Sequence, residues 1–340
     1  MTDTPIKLED IARLAGVSPM TVSRVLNAKP GVSESTRQKV MAAVQEMGYV
    51  PNPNARALAG NTTRVLGMLV PDFTTEYISE IARGAALAAS SAGYELVLYT
   101  NAHQPNHINR HVTALTRGLI DGLMVVLNDI SDEQLEALQN TGIKLAIIDH
   151  RHNVPHIPSV LADNYHGARR MMDHLFSLGH RKIAFITGRM DTVASLERLR
   201  GYQEALKIQG LEVREEWIMQ GDFLQPSGFN ATLELLQQKD PPTAIFAAND
   251  TMAIGAMDAA RRLGFDLPTD LSIAGFDDVP RASIVHPNLT TVRQPLQEMG
   301  AAATRMVISM LSGVEITATQ YELKTELQVR QSTAAPRQSD

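Results

Sequence analysis

The sequence predicts an α/β protein in which two doubly wound parallel-sheet subdomains follow a small all-α head and a short linker helix. Three observations carry that expectation. From about Thr63 onward, short apolar strands alternate with helical stretches, the pattern of parallel sheets joined by crossover helices. The first fifty residues instead hold three short amphipathic helices and no strand pattern. The 340 residues exceed one typical domain and suit two or three.

The head comes first. Leu8, Ile11, Ala12 and Ala15 share one face of a helix over 8–15, and Gly16 supplies the left-handed conformation that stops it. Ser18 is placed to cap a second helix, with Pro19 at its first position, where a missing N–H removes no helical bond. Val22, Val25 and Leu26 form the buried side of that helix and leave Pro19, Met20, Thr21, Ser23, Arg24 and Asn27 outside. A third helix starts near Ser33 and runs through "ESTRQKVMAAVQEM". Val40, Ala43, Val44 and Met47 are its apolar stripe, and Gly48 with Pro51 ends it. Helix, glycine-containing turn and capped helix make a helix-turn-helix, so residues 1–50 form the head. The segment "PNPNARALAGNT" (51–62) allows barely two helical turns, too few to be stable alone, and is predicted as a linker whose helix forms only against a partner.

In the body, strands are expected at 65–70, 95–100, 122–127 and 144–149, with helices over 77–92, to about 117, and over 131–140. After the loop "HRHNVPHIP", strand "SVLAD" precedes a helix over 165–178, "KIAFIT" a helix over 194–209, and "EWIMQ" (216–220) a helix over 226–238. "AIFAAN" leads into a helix over 250–263 and "SIAGFD" (272–277) closes the run. A strand at 290–293, a helix over 296–312 and terminal strands within about 320–330 follow. The expected division is 63–162 with 294–318 for one subdomain, 163–293 with 319–331 for the other, and a polar tail at 332–340. No short repeat is present, although the two halves share their strand-helix rhythm.

Composition narrows the function classes. At 44% hydrophobic and 20% charged the chain is ordinary globular protein, and its longest apolar runs, such as "GLMVVL", are far too short to span a bilayer. "MTDTPIKLED" lacks the apolar core of an export signal. The absence of cysteine excludes disulfides and thiolate metal sites and fits a reducing cytoplasm. The net charge of −6 is unevenly spread. Residues 1–64 carry eight basic side chains (Lys7, Arg13, Arg24, Lys29, Arg37, Lys39, Arg56, Arg64) against five acids (Asp3, Glu9, Asp10, Glu34, Glu46), or +3. That leaves 23 of the 31 basic and 32 of the 37 acidic residues, or −9, for the rest. A basic head on an acidic body favours phosphate contact through the head alone. On its second helix, Arg24 can bond a guanine edge with two hydrogen bonds, while serine and threonine suit phosphates.

The stretch "IKLEDIARLAGVSPMTVSRVLN" closely resembles the N-terminal motif of the LacI/GalR family of bacterial transcription regulators, and "NPNARALAG" resembles that family's hinge helix. The resemblance continues through "GLIDGLMV", "LGHRKIAFITG", "RLRGYQEAL", "AIFAANDTMAIGAM", "SIAGFDD" and "LTTVRQP", nearly the whole chain. It implies a periplasmic-binding-protein-like body and a homodimer that binds a pseudo-palindromic operator in double-stranded DNA. A small effector in the cleft between subdomains would change DNA affinity. Carried over by position, Pro19, Met20 and Arg24 match base-reading residues, and Ser18, Thr21, Ser23 and Asn27 match residues near phosphates and neighbouring bases. Ala55 and Leu58 match hinge contacts, with Leu58 as the wedge that enters the minor groove and bends the duplex. The alternative for Leu58 is an ordinary buried leucine. Pro19-Met20 replaces the polar pair of some members, so apolar contact with a base edge or thymine methyl is expected there.

In the body, Asp149, Asn249 and Asp277 end strands, and the carboxyl ends of parallel strands are where open α/β sheets bind ligands. Arg198 lies near the start of a helix that follows such a strand. One Arg with two Asp and one Asn suits vicinal hydroxyls, and Phe223, Phe73 and Tyr77 could cover the apolar face of a sugar ring. The resemblance places Asp149, Arg198, Phe223, Asn249, Asp277 and Gln294 at effector positions. Leu296 falls where a family member carries an aromatic, which leaves the ligand open. The expected effector is a sugar or sugar derivative, with a purine or nucleoside corepressor as the alternative. The alternative is that Arg198 merely pairs with an aspartate to hold the cleft, but its cleft location favours ligand contact.

No cofactor, metal or membrane is expected. His103, His107 and His111 are spaced i, i+4, i+8, but Pro105 interrupts them and no acid or cysteine accompanies them, so they read as solvent-facing, like the loop residues His150, His152 and His156. No G-x-G, Gly-Lys, G-x-S-x-G or H-E-x-x-H motif is present, and nothing supports an enzyme. "QSTAAPRQSD" lacks the apolar heptads of a tetramerising coiled coil. A cytoplasmic protein, on the nucleoid when operator-bound, is the expectation.

Overall fold

The computed structural model describes residues 6–26, 29–49, 62–100, 119–126, 130–150, 154–317 and 320–337. Outside them lie Asn27, the linker helix with Ala55 and Leu58, the helix to about 117 with its three histidines, and His152. The chain divides into two compact units, 1–63 and 64–340.

In the first unit, α1 (Leu8–Ala15), α2 (Pro19–Leu26) and α3 (Glu34–Met47) enclose Ile11, Ala12, Val22, Val25, Val40 and Ala43. Gly16 takes φ +66°, and the chain reverses there with Val17 N–H donating to Ala12 O at 3.0 Å. Ser18 Oγ accepts from Thr21 N–H at 3.1 Å, the predicted cap of α2. Such a cap is worth about 1 kcal/mol over alanine. From α3, Arg37 donates to Val25 O at 3.4 Å, answering a carbonyl that the end of α2 leaves open.

In the second unit the strands are β1 (Val65–Val70), β2 (Glu95–Thr100), β3 (Gly122–Val126), β4 (Lys144–Ile148), β5 (Ser159–Ala162), β6 (Ile183–Thr187), β7 (Ile218–Gln220), β8 (Ala244–Ala247), β9 (Ser272–Asp277), β10 (Thr290–Arg293), β11 (Gln320–Leu323) and β12 (Glu326–Gln328). Between them run α4 (Glu76–Ser91), α5 (Asp132–Gln139), α6 (Asn164–Ser177), α7 (Val193–Ile208), α8 (Gln225–Leu236), α9 (Asp250–Arg262) and α10 (Leu296–Leu311). The strands form two six-stranded sheets, β2-β1-β3-β4-β5-β11 and β7-β6-β8-β9-β10-β12, parallel except for the antiparallel pair β10/β12. The shared rhythm of the two halves is thus a shared strand order, with each half wound outward from its first strand. The strands β3 and β9 are buried along their whole length, as central strands covered on both faces should be.

Three differences from expectation have physical causes. β11 pairs with β5 in the first sheet, so the last crossing between lobes falls at residues 324–325 rather than near 318. β7 begins at Ile218, because Glu215–Trp217 forms a 3₁₀ turn that buries Trp217 under the Arg214 guanidinium, 4.0 Å from its ring. The tail expected to be merely polar is bonded into the second lobe as far as Arg337. Ser332 is fully buried, its O accepting from Ile273 N–H at 2.8 Å and its Oγ from Thr290 N–H at 2.8 Å. Among the described residues, no helix is long and apolar enough to cross a membrane.

Candidate functional site

Two surfaces were singled out by the sequence, one in each unit. On the head, α2 turns Val22 and Val25 inward and leaves Ser18, Pro19, Met20 and Arg24 exposed, with Thr21 and Ser23 half-buried. Met20 is 70% exposed, a large apolar side chain with no core to enter. The guanidinium of Arg24 meets no carboxylate among the described residues.

In the body, a cavity of about 140 Å³ opens where the carboxyl ends of the two sheets face each other. Asp149 follows β4, Asp222 follows β7, Asn249 follows β8 and Asp277 ends β9, while Thr75, Thr192, Leu224 and Asn249 stand at the N-cap positions of α4, α7, α8 and α9. The positive ends of four helices therefore lie at a site crowded with carboxylates, which is where a helix dipole stabilises negative charge.

The floor is one buried network. Arg198, only 2% exposed, donates Nε–H to Asn164 Oδ1 at 2.8 Å and Nη1–H to Ala248 O at 2.5 Å, and lies 3.5 Å from Asp277. Its guanidinium lies 3.9 Å from the Phe276 ring. Tyr77, from the first lobe, donates its hydroxyl to Asp149 at 2.7 Å, and burial raises the phenol well above its usual range. Asp277 accepts from Gln294 Nε2 at 2.7 Å. Burial pushes Asp277 up to about 7, with Arg198 and Gln294 pulling it down and Asp149 adding repulsion. Burial raises Asp149 too, against Arg198, Tyr77 and Asn164. Behind them Asp250, fully buried, accepts from Val279 N–H at 2.9 Å and from the Thr291 hydroxyl, and burial with the nearby Asp277 raises it well above 3.8.

Phe223 covers one side. It sits at φ +72°, its carbonyl taken by Asn249 Nδ2 at 3.0 Å, and its ring lies flat on Gly188. A Cβ on residue 188 would come within 2.0 Å of the ring, so only glycine leaves room. A second link between lobes runs from Glu76, which accepts from Arg281 N–H at 3.1 Å and stands 3.3 Å from its guanidinium.

Tyr77, Asp149, Arg198, Phe223, Asn249 and Asp277 are thus brought together on the cavity wall. Phe73 and Gln294, expected at the effector site, lie off that wall. Asp72 accepts from both the N–H and the hydroxyl of Thr74 at 2.7 Å, and that turn leaves Phe73 55% exposed and off the wall. Gln294, 3% exposed, stands behind Asp277 rather than on the wall, and Leu296 packs into the core of the first lobe. Sequence reasoning missed Asn164 and Asp250, which immediately follow strand or cap positions, and Arg189 and Thr192 on the wall. Two signals marked them: an Asp-Asn pair directly after "SVLA", and a threonine one residue before a helix start. Among the described residues no three His, Cys, Asp or Glu side chains are placed to hold a metal.

A helix-turn-helix in one unit and a two-lobed body closed around a polar cleft in the other define a regulator that binds a small molecule. The chain belongs to the lacI family of bacterial regulatory proteins. That family's model matches residues 7–52, and a periplasmic binding protein-like domain matches 172–333. The HTH-type transcriptional repressor PurR of Actinobacillus pleuropneumoniae serotype 3 (strain JL03) is 34% identical over 318 residues, 94% of each chain. The lac repressor dimer bound to operator and the anti-inducer ONPF superposes with a TM-score of 0.88 at 29% identity, covering 98% of this chain and 100% of that one. The complex of the transcriptional regulator CelR with cellobiose gives 0.74 at 33% identity, covering 96% and 99%.

Proposed function

We propose that this protein is a homodimeric transcriptional repressor that binds a pseudo-palindromic operator and releases or tightens its hold when a small sugar-like effector occupies the cleft. Two α2 helices enter successive major grooves, as two-fold symmetry requires, with Arg24 reading a guanine edge and Pro19 and Met20 meeting apolar base edges. The linker helices carrying Ala55 and Leu58 meet at the operator centre and wedge both leucines into the minor groove. The observation that carries the reading is the Tyr77–Asp149 and Arg198–Asp277 network. Its polar groups come from both lobes, so a ligand bonded to them biases the angle between lobes. That the lac repressor dimer is solved on operator, and CelR with cellobiose, supports the same assignment of roles.

The test selects binding sites from random duplex DNA with the full-length protein, then titrates the selected site with and without a panel of sugars and nucleosides. A two-fold symmetric site, with affinity changed about 5–150-fold by one compound, is expected. Sequence-independent binding, or a response to no compound, overturns the reading. The nucleoside members of the panel decide the purine-type alternative.

A further inference from the structure

The hydrogen-bonding inventory of the cleft is lopsided. Four carboxylates line it, Asp72, Asp149, Asp222 and Asp277, against two guanidiniums, Arg189 and Arg198; no lysine or histidine does so among the described residues. Both guanidiniums already bond protein groups. Arg189 grips Asp191 with two bonds, at 3.2 and 2.5 Å, and Arg198 is committed to Asn164, Ala248 O and Asp277. Two of the helix N-termini there, those of α7 and α9, carry side-chain caps. Thr192 Oγ1 accepts from Ser195 N–H at 3.2 Å, Asn249 Oδ1 from Met252 N–H at 2.9 Å, and Asp222 from Leu224 N–H at 2.8 Å. The α4 and α8 termini lack such a cap, and an acid stands at each: Glu76 follows the first directly, and Asp222 holds the N–H of Leu224 just before the second.

Acceptors, by contrast, are left over. Asp277 uses one oxygen for Gln294 and Arg198, Asp222 one for Leu224 N–H, and Asp72 one for Thr74. A carboxylate accepts at both oxygens, so each retains capacity toward the cleft. Phosphate recognition needs the opposite, an excess of guanidiniums, lysines or helix N-termini over nearby acids.

We propose that the cleft is built for a ligand rich in hydrogen-bond donors and free of negative charge, and that phosphorylation of that ligand excludes it. Hydroxyls donate to the spare carboxylate oxygens, while a phosphate brings two more negative charges to a wall that already has more acids than bases. This rests on the reading of the cleft as the effector site and narrows its chemistry for sugars and nucleosides alike.

The test is isothermal titration of the full-length protein with matched pairs: glucose and glucose 6-phosphate, ribose and ribose 5-phosphate, adenosine and its 5′-monophosphate. In the pair whose neutral member binds, the phosphorylated member is expected to bind at least tenfold more weakly. Raising salt should narrow the gap, since screening weakens repulsion and leaves the neutral ligand unaffected. The double variant Asp72→Asn/Asp222→Asn should also narrow it, with its unfolding temperature recorded to confirm that the fold is kept. A phosphorylated member that binds within tenfold of its partner, or more tightly, overturns the inference and leaves the effector reading standing. Silence of every pair overturns both.

Discussion

Asp277 shows how a single residue ties stability to the state of the cleft. Its carboxyl is pushed up to about 7 from 3.8 because burial costs the charged form more than Arg198 and Gln294 return, with Asp149 opposing ionisation further. Between about pH 4 and pH 7 the folded protein therefore holds a proton that the unfolded chain has lost. The stability this group contributes falls as pH rises through that window and levels off above about 7. Unfolding temperatures from pH 5 to pH 8 should show the parent losing ground relative to Asp277→Asn up to about pH 7, then running parallel. Parallel curves throughout would mean an unshifted carboxyl. Gly188 makes a steric counterpart. Gly188→Ala must push the Phe223 ring off its seat, so ligand affinity should drop about tenfold or more while the sheet beneath stays intact. Unchanged affinity at unchanged stability would remove Phe223 from the site. These two cases also mark what the sequence could tell. The placement of Asp277, Asn249 and Asp149 on the wall is legible because a polar residue at the end of an apolar strand stands out, whereas that of Phe73 and Gln294 off it is not. An exposed phenylalanine and a glutamine one layer back differ from wall residues only in the direction of the side chain.

At the scale of elements, periodicity placed most strands and helices of the body within a residue or two, since a buried strand of four to six apolar residues between glycine and polar turns leaves little choice. β11 and β12 are the exceptions. Both are three or four residues long, β11 largely exposed and β12 only half-covered, and nothing in "QYEL" or "ELQ" says which sheet edge each will join. The docking of the tail is not legible for a related reason. Its serine, threonine and alanine have no apolar period, yet they answer backbone groups at the edge of the second lobe. Arg330 donates to Leu289 O at 2.8 Å and binds Asp278, while His180, itself buried, meets Ala334 O at 2.8 Å. Ending the chain after Val329 should therefore lower the unfolding temperature of the body by several degrees. Each lost bond is worth about 1 kcal/mol, and each kcal/mol moves Tm by about 2–4 °C. Arg337→Ala, which removes only an exposed pair with Asp270, should move it by less than about 2 °C. A shift of less than about 2 °C in the truncated protein as well would mean that the terminal segment carries no stability.

For the whole molecule, the proposed regulation couples two sites, and such coupling must be reciprocal: whatever factor the ligand imposes on operator binding, operator imposes on ligand binding. Leu58→Ala should weaken operator binding by about 1 kcal/mol or more while ligand affinity in the absence of DNA stays unchanged. An unaltered operator affinity would strip the linker of its wedge. The interleaving of the lobes has a consequence for how the chain is made. The first lobe is complete only when β11 pairs with β5, yet residues 163–293, which supply five strands of the second lobe, are synthesised in between. At about 5–20 residues per second, the unfinished first sheet must wait on the order of ten seconds on the ribosome, one edge unpaired, for its last strand.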